Sequence, residues 1–368
     1  MLNKNYQINY ICEVNYPSTS AYALHVIKMC DSLSADNTNI NLIAPKISCN
    51  FLKLKKIYNL KNKFKLISIF NKKINIFFFS RIFFTIKILY LLRSKPNNIL
   101  LSRSIIFSLL AAILGKKNIL ELHHELTGFS KILYNFVHFF KFDKNLKYVF
   151  IHQNLIKKFN STKYKGLCLD DAIDINDYLV KFKSKILKKT CVYVGSFYPG
   201  KGLEIISYIS KKLPDFNFHL YGDKTYLPST SFEKNVHFFG HINYKEIPNI
   251  LSKYEVALMP YLGKVSGRHK NLNLAKNMSP LKMFDYLASG KIILATNLKV
   301  YGHILKNNYN AILVDKDKID DWIFWIKEIF KKPYKFSDLK KNSLITAKKY
   351  TWANRSKKIK KFIIEKYF

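Results

Sequence analysis

The sequence predicts an α/β protein with two similar, doubly wound halves. Three observations predict it. Short apolar runs alternate with helix-period segments from end to end, the pattern restarts after a polar, lysine-rich passage at 177–189, and 368 residues that are 48% hydrophobic suffice for two cores. Strands separated by helices point to parallel sheets covered on both faces. Ligands of such sheets bind at the carboxyl ends of the strands, so the expected site is a cleft between the two halves.

The first half carries predicted strands at 8–13, 39–44, 74–79, 98–102, 118–122, 147–151 and 166–169, with helices at 20–33, 82–92, 105–114 and 131–140. The stretch 53–73 alternates lysine with apolar residues and reads as an exposed hairpin, a loop or a membrane-facing ramp. In the second half, strands are predicted at 191–195, 217–221, 235–239, 256–259, 291–295 and 311–314, spaced by helical segments. The expected domains are 1–180 and 190–350, with a terminal helix at 351–368 crossing back to the first.

A net charge of +38 raises nucleic acid first, yet only five of the 62 basic residues are arginines. Base readers lean on Arg, and the abundance of Lys, Asn, Ile and Phe reads as the usage of an A/T-rich coding sequence, so no nucleic-acid partner is expected. An anionic membrane surface is the expected electrostatic partner. The cysteines Cys12, Cys30, Cys49, Cys168 and Cys191 stand singly. They suggest neither a zinc site nor a disulfide framework, and fit a reducing cytosol. The amino terminus has no apolar signal core. The apolar run 74–92 is broken by Arg81 and Lys87, and 105–114 is too short to span a bilayer.

Two segments carry candidate chemistry. In NMSPLKMFDYLASG, 277–290, Ser279 suits a helix N-cap, Pro280 the first helical position and Gly290 the residue past the end. The N–H groups of Leu281 and Lys282 then face an anion, helped by the dipole and the Lys282 charge, and Asp285 stands on the same face to accept sugar hydroxyls. By itself this segment reads equally as an amphipathic helix burying Leu281, Phe284, Leu287 and Ala288. In GSFYPGKGLE, 195–204, glycines flank Lys201 before a helix with Leu203, Ile206, Ile209 and Leu213 on one face. Glycine lets backbone approach a phosphate, although a lone Gly-Lys-Gly turn is more often only a turn. His123 and His124 follow a strand and point to opposite sides, so one at most faces a site. Asp315 and Asp317 read as a polar loop, and the many aromatics as core.

The run VYVGSFYPGKGLEII, then HLYGD, VHFFGHINYKEIPNIL, VALMPY, SPLKMFDYLASGKIILAT, NAILVD and YTWANRSKKI resembles the carboxyl-terminal domain of the group 1, family 4 glycosyltransferases. The first half is similar through PSTSAYALHVIKMCDSL, LSRSIIFSLLAA and LELHHEL. The resemblance implies the GT-B architecture, with two Rossmann-like domains facing a central cleft. It also implies retaining sugar transfer from a nucleotide-sugar donor to a glycan or lipid-linked saccharide in surface polysaccharide synthesis, with no metal and no cofactor. By position, Lys201 and Lys282 match the groups that neutralise the donor diphosphate, Ser279 and Leu281 the phosphate-binding helix start, and Asp285 a ribose-binding carboxylate. Ser196, Gly222, Gly240, His241 and Ile242 match donor-side positions. His123 matches the first-domain His that faces the transferred sugar.

Three departures from the family pattern stand out. Asn277 occupies the place of a common acid eight positions before Asp285, Ser196 replaces a frequent Arg, and the first glycine-rich turn appears as PSTSAYA with Ser20 and Ala21. Lys264 and Arg268 are the nearby cations expected to compensate for the missing Arg. The expected location is the cytoplasm, at the inner face of the membrane. The alternatives are a nucleotide-sugar epimerase of the same architecture and a noncatalytic polyanion or nucleic-acid binder.

Overall fold

The computed structural model describes residues 6–73, 75, 77–94, 98–159, 166–180, 185–266 and 273–368. It divides into one unit of Met1–Asp170 with Trp352–Phe368, and a second unit of Asp171–Thr351.

In the first unit the chain runs β1 (Gln7–Ile11), α1 (Ala21–Leu33), β2 (Asn39–Ala44), α2 (Phe51–Tyr58), β3 (Lys65–Ser68), α3 (Phe78–Leu91), β4 (Asn98–Ser102), α4 (Ile105–Ile113), β5 (Asn118–Leu122), α5 (Gly128–Phe139), β6 (Leu146–Phe150), α6 (Gln153–Lys158) and β7 (Leu167–Cys168). The seven strands are parallel in the order β3-β2-β1-β4-β5-β6-β7, so connections reverse direction between β1 and β4. β4 and β5 are buried at every position, as strands covered on both faces must be.

The second unit runs β8 (Thr190–Val194), α7 (Leu203–Lys212), β9 (Asn217–Tyr221), β10 (Val236–Gly240), α8 (Ile247–Ser252), β11 (Val256–Met259), α9 (Leu281–Ala288), β12 (Ile292–Thr296), β13 (Ile312–Val314), α10 (Asp320–Lys331) and α11 (Ser337–Ala347). Its six parallel strands lie in the order β10-β9-β8-β11-β12-β13. The switch point is between β8 and β11, and in such sheets it is where loops diverge and leave room for a ligand. The final helix α12 (Trp352–Tyr367) belongs to the first unit. It buries Trp352, Arg355, Ile359 and Ile363, and Ser32 Oγ on α1 donates to Ser356 Oγ at 2.8 Å.

Two expectations in the first half change. The 53–73 stretch is neither hairpin nor ramp but the body of α2 followed by the edge strand β3. Asn50 caps α2 by accepting from the Lys53 N–H at 3.0 Å, and Leu54 and Tyr58, one turn apart, are its buried residues while most of the lysines stay in water. The strand expected at 74–79 falls partly outside the described residues, and its end is instead the start of α3, where Phe84 and Ile88 are buried at helical spacing.

Candidate functional site

In the second unit, close packing of glycines at the carboxyl ends of the strands brings two lysines to one aromatic surface. Gly202, with φ of +86°, begins α7, and a Cβ there would stand 1.7 Å from the Pro260 carbonyl oxygen. Only glycine lets the loop after β8 lie against the loop after β11 this way. Lys201 is thereby held with Nζ 4.6 Å from the centroid of the Tyr261 ring. Lys282, in the first turn of α9, has Nζ 5.2 Å from the same centroid and 3.4 Å from that of Tyr193. A Cβ at Gly195 would lie 2.7 Å from Lys282 Nζ, so the backbone at the end of β8 touches the ammonium.

The electrostatics of this cluster are unbalanced. Lys282 is only 8% exposed, and among the described residues its Nζ has no hydrogen-bond partner. Burial, then the Lys201 charge, push its pKa well below the usual lysine range, and the nearby Asp285 carboxylate only partly offsets them. Burial brings the Lys201 amine down to about 8. Asp285 is buried as well and raised to about 7 by desolvation, against the pull of a hydrogen bond from Tyr178 Oη at 2.6 Å and of Lys282. Cation–π contacts with Tyr193 and Tyr261 partly compensate the ammonium groups, and Asp285, itself raised to about 7, offsets Lys282 only in part.

The other donor-side positions surround this cluster unevenly. The Gly195 N–H donates to Tyr221 O at 2.9 Å and the Gly222 N–H to Gly240 O at 2.8 Å, so three glycines close the ends of β8, β9 and β10. The Ser196 carbonyl accepts from Tyr193 Oη at 2.7 Å, while His241 is exposed beyond β10. Ser279 is not the N-cap of α9; Pro280 takes that position and Leu281 starts the helix. The Ser279 hydroxyl instead accepts from the Asp171 N–H at 2.9 Å, so the helix start has no side-chain cap. Proline at the cap keeps an extended φ,ψ of −74°, 122° that suits the turn into the helix. Gly290 follows the helix with φ of +59°, in agreement with its expected place. Asn277 is buried, Lys264 is exposed, and Arg268 lies outside the described residues.

The first unit contains a different cluster. Glu121 of β5 is buried, accepts from Tyr10 Oη, from His123 Nε2 at 3.0 Å and from the Arg355 guanidinium of α12, and lies 2.7 Å from His25 Nε2. Burial alone would raise its pKa; His25, Arg355 and His123 instead pull it well below the usual carboxylate range. His123 is brought down to about 3, first by burial and then by Arg103, against the pull of Glu121, so its ring is neutral near pH 7. With Nε2–H given to Glu121, Nδ1 is left as an acceptor. His25, Glu121 and His123 have the donor set of a metal site, but Arg355 and Tyr10 already occupy the carboxylate.

His124 turns away and pairs through Nδ1 with the Glu125 carbonyl at 2.9 Å. Arg103 stacks 4.1 Å over the Tyr22 ring, Ser20 caps α1 by accepting from the Ala23 N–H, and Asp315 accepts from Asn297 Nδ2. Sequence reasoning missed Tyr178, Tyr193, Tyr261, His25, Glu121 and Arg355. The only signal for Tyr193 and Tyr261 was their position at or near strand ends, which core packing explains equally well.

Two parallel sheets of seven and six strands with interleaved helices, each with a switch point, define the GT-B class of fold. Residues 188–332 match the family model described as glycosyl transferases group 1. The second unit is thus similar to the group 1 glycosyltransferases over these residues. The uncharacterized glycosyltransferase MJ1178 of Methanocaldococcus jannaschii is 25% identical over 167 residues, and that match covers 44% of each chain, less than half of the relative. Among solved structures, a glycosyltransferase from Rickettsia africae aligns over 98% of both chains with TM-score 0.72 at 14% identity. Anabaena HepE, crystallised with UDP-glucose, aligns over 98% of this chain and 99% of its own with TM-score 0.71 at 11% identity.

Proposed function

We propose that the protein is a retaining glycosyltransferase that moves a sugar from a nucleotide-sugar donor to a glycan or lipid-linked saccharide in surface polysaccharide synthesis, at the cytoplasmic face of a membrane. The observation that carries this reading is the buried Lys282 ammonium, which has no hydrogen-bond partner among the described residues and stands beside Lys201 at the β8–β11 switch point. A donor diphosphate supplies the anion this place lacks. The UDP-glucose held by HepE is a ligand of that chemistry on the same fold.

As the bond from the anomeric carbon to the diphosphate oxygen breaks, negative charge grows on the leaving group. Lys201, Lys282 and the uncapped start of α9 stabilise that charge more in the transition state than in the ground state. Two ammonium groups thus do the neutralising work that a divalent cation does in other transferases, and the reading needs no metal. In the bound complex Asp285 accepts from the ribose hydroxyls, and His123 keeps the role that the resemblance implies. For retention, the acceptor hydroxyl attacks on the face from which the diphosphate departs and gives its proton to the departing phosphate oxygen.

Thermal-shift measurements with UDP, GDP, ADP and dTDP test the reading. One of them is expected to stabilise the protein, by about 2.7 kcal/mol at a hundredfold excess over Kd. Lys201→Ala is expected to keep the fold and lose turnover by a factor on the order of 10² to 10³. Stabilisation by none of the four nucleotides, or full turnover in the variant, overturns the assignment.

A further inference from the structure

The first unit presents an apolar face that its own core does not use. On α3, Phe79, Phe83, Ile86 and Tyr90 are all exposed, and their spacing of four, three and four residues puts them on one narrow stripe. On α5, Phe129, Ile132, Phe136 and Phe139 form a second stripe by the same rule. The eight side chains are between 45% and 82% exposed. Each helix meets its core chiefly through other residues, Phe84 and Ile88 on α3 and Val137 on α5, while Phe83 also stacks on the buried Phe70 ring with centroids 5.9 Å apart, so the stripes are for the most part left in water. Both helices pack against α4, which places the two stripes on the same side of the sheet.

Charge says what covers this face. The segments of α3, α4 and α5 contain no Asp or Glu. Basic groups edge the stripes: Lys87 Nζ stands 4.8 Å over the Phe83 ring, the Arg93 guanidinium 3.7 Å over the Tyr90 ring, and Lys131 and Lys141 are exposed on and just after α5. Aromatic and aliphatic side chains framed by lysine and arginine are the composition of surfaces that lie in the headgroup layer, where the rings enter the acyl boundary and the cations meet anionic lipid. A symmetric contact with a second copy would set these cations against their own counterparts, in a protein already at +38. Among the described residues no helix is long and apolar enough to cross a membrane, so attachment through this face is interfacial.

We infer that the α3–α5 face is a docking surface for an anionic lipid bilayer. It gives a concrete form to the membrane location in the proposed function, but it needs neither the donor site nor catalysis. The test is co-sedimentation of the full chain with vesicles of phosphatidylglycerol and phosphatidylcholine, and with phosphatidylcholine alone. Because a strongly basic protein adheres to anionic vesicles through charge alone, the deciding variants are neutral: Phe83→Gln with Tyr90→Gln, and Ile132→Gln with Phe136→Gln. Each pair is expected to lower partitioning onto the mixed vesicles about tenfold while nucleotide-induced thermal shifts stay at the wild-type value. Lys327→Gln with Lys335→Gln, which removes two charges from the second unit, is expected to leave partitioning within about twofold. Unchanged partitioning of both aromatic pairs overturns the inference in favour of charge-only adhesion. Wild-type protein that stays in the supernatant overturns it, as does concentration-dependent dimerisation that the same substitutions abolish. A protein that binds vesicles but no nucleotide keeps this inference and loses the proposed function; the converse result does the reverse.

Discussion

In the first unit Glu121 is buried, accepts from Tyr10, His123 and Arg355 and pairs with His25, whereas in the second unit Lys282 is buried and its ammonium has no hydrogen-bond partner among the described residues. The two clusters share a cost, since taking a charge out of water is unfavourable wherever it happens. They differ in how it is met. The carboxylate is met by its own chain, through Tyr10, His25, His123 and Arg355, although the Arg355 Nε and Nη1 atoms find no hydrogen-bond partner among the described residues. Among the described residues the lysine is met by ring faces and by a carboxylate whose own pKa has drifted to about 7. A charge met by opposite charge from its own chain holds shape. A cluster left short of one anion has a reason to bind one.

The largest expected effect is a break in the Glu121 cluster. Arg355→Met leaves Glu121 buried without its guanidinium and is expected to destabilise the first unit by about 3–5 kcal/mol, read from the midpoint of denaturant unfolding. A loss below about 1 kcal/mol would mean that His25 and His123 carry the carboxylate unaided.

Next in size is the pH dependence of the second cluster. The folded Asp285 pKa is about 7 against an ordinary 3.8, so between those values the folded state holds the proton more tightly than the unfolded chain. Stability from this group is therefore full at acid pH, falls as pH rises from about 4 to 7, and is constant above that. Asp285→Asn, which can still accept from Tyr178, removes the dependence. The variant is expected to gain on the wild type with rising pH, by up to about 4 kcal/mol at roughly 1.4 kcal/mol per pKa unit, and to level off above neutrality. A difference that is flat from pH 4 to 8 would show that Asp285 ionises normally.

Lys282→Met sets the two clusters directly against each other. Removal of a buried charge that lacks a hydrogen-bond partner is expected to stabilise the ligand-free protein by about 2 kcal/mol while abolishing stabilisation by nucleoside diphosphate. Destabilisation by this variant would mean that the ring contacts already satisfy the lysine, and the contrast with Glu121 would fail. The smallest effect is expected of Ser279→Ala, which loses one hydrogen bond from the Asp171 N–H, about 1 kcal/mol in thermal unfolding, and leaves nucleotide affinity within about twofold because Ser279 does not cap α9.

Legibility in the sequence followed the range of the forces involved. β2, β4, β5, β9 and β11 have the expected bounds, because an apolar run between polar turns is a local signal. The 53–73 stretch was ambiguous for a local reason too: lysine alternating with apolar residues satisfies a strand period and, at Leu54 and Tyr58, a helix period, and only burial chose. At α9 the helix was legible and its first residue was not, since Ser279 is a good cap by type but its hydroxyl is taken by Asp171, more than a hundred residues away in sequence. In the candidate site, Lys201 and Lys282 were readable because each sits in a short motif with its own turn chemistry. Tyr178 fell in a passage expected to be only a linker, so nothing marked it as the donor to Asp285.

By itself the sequence determined the alternation of strand and helix, the restart that makes two sheets, and the two lysines beside glycine-permitted turns, because these depend on neighbours a few residues apart. Tertiary structure alone decided that Tyr10, His25, Glu121 and Arg355 form one network, that Tyr193 and Tyr261 lie beneath two ammonium groups, and that Lys282 is left without a hydrogen-bond partner among the described residues. Electrostatic balance depends on distance in space and on exclusion of water, and neither is written in the spacing of residues along the chain.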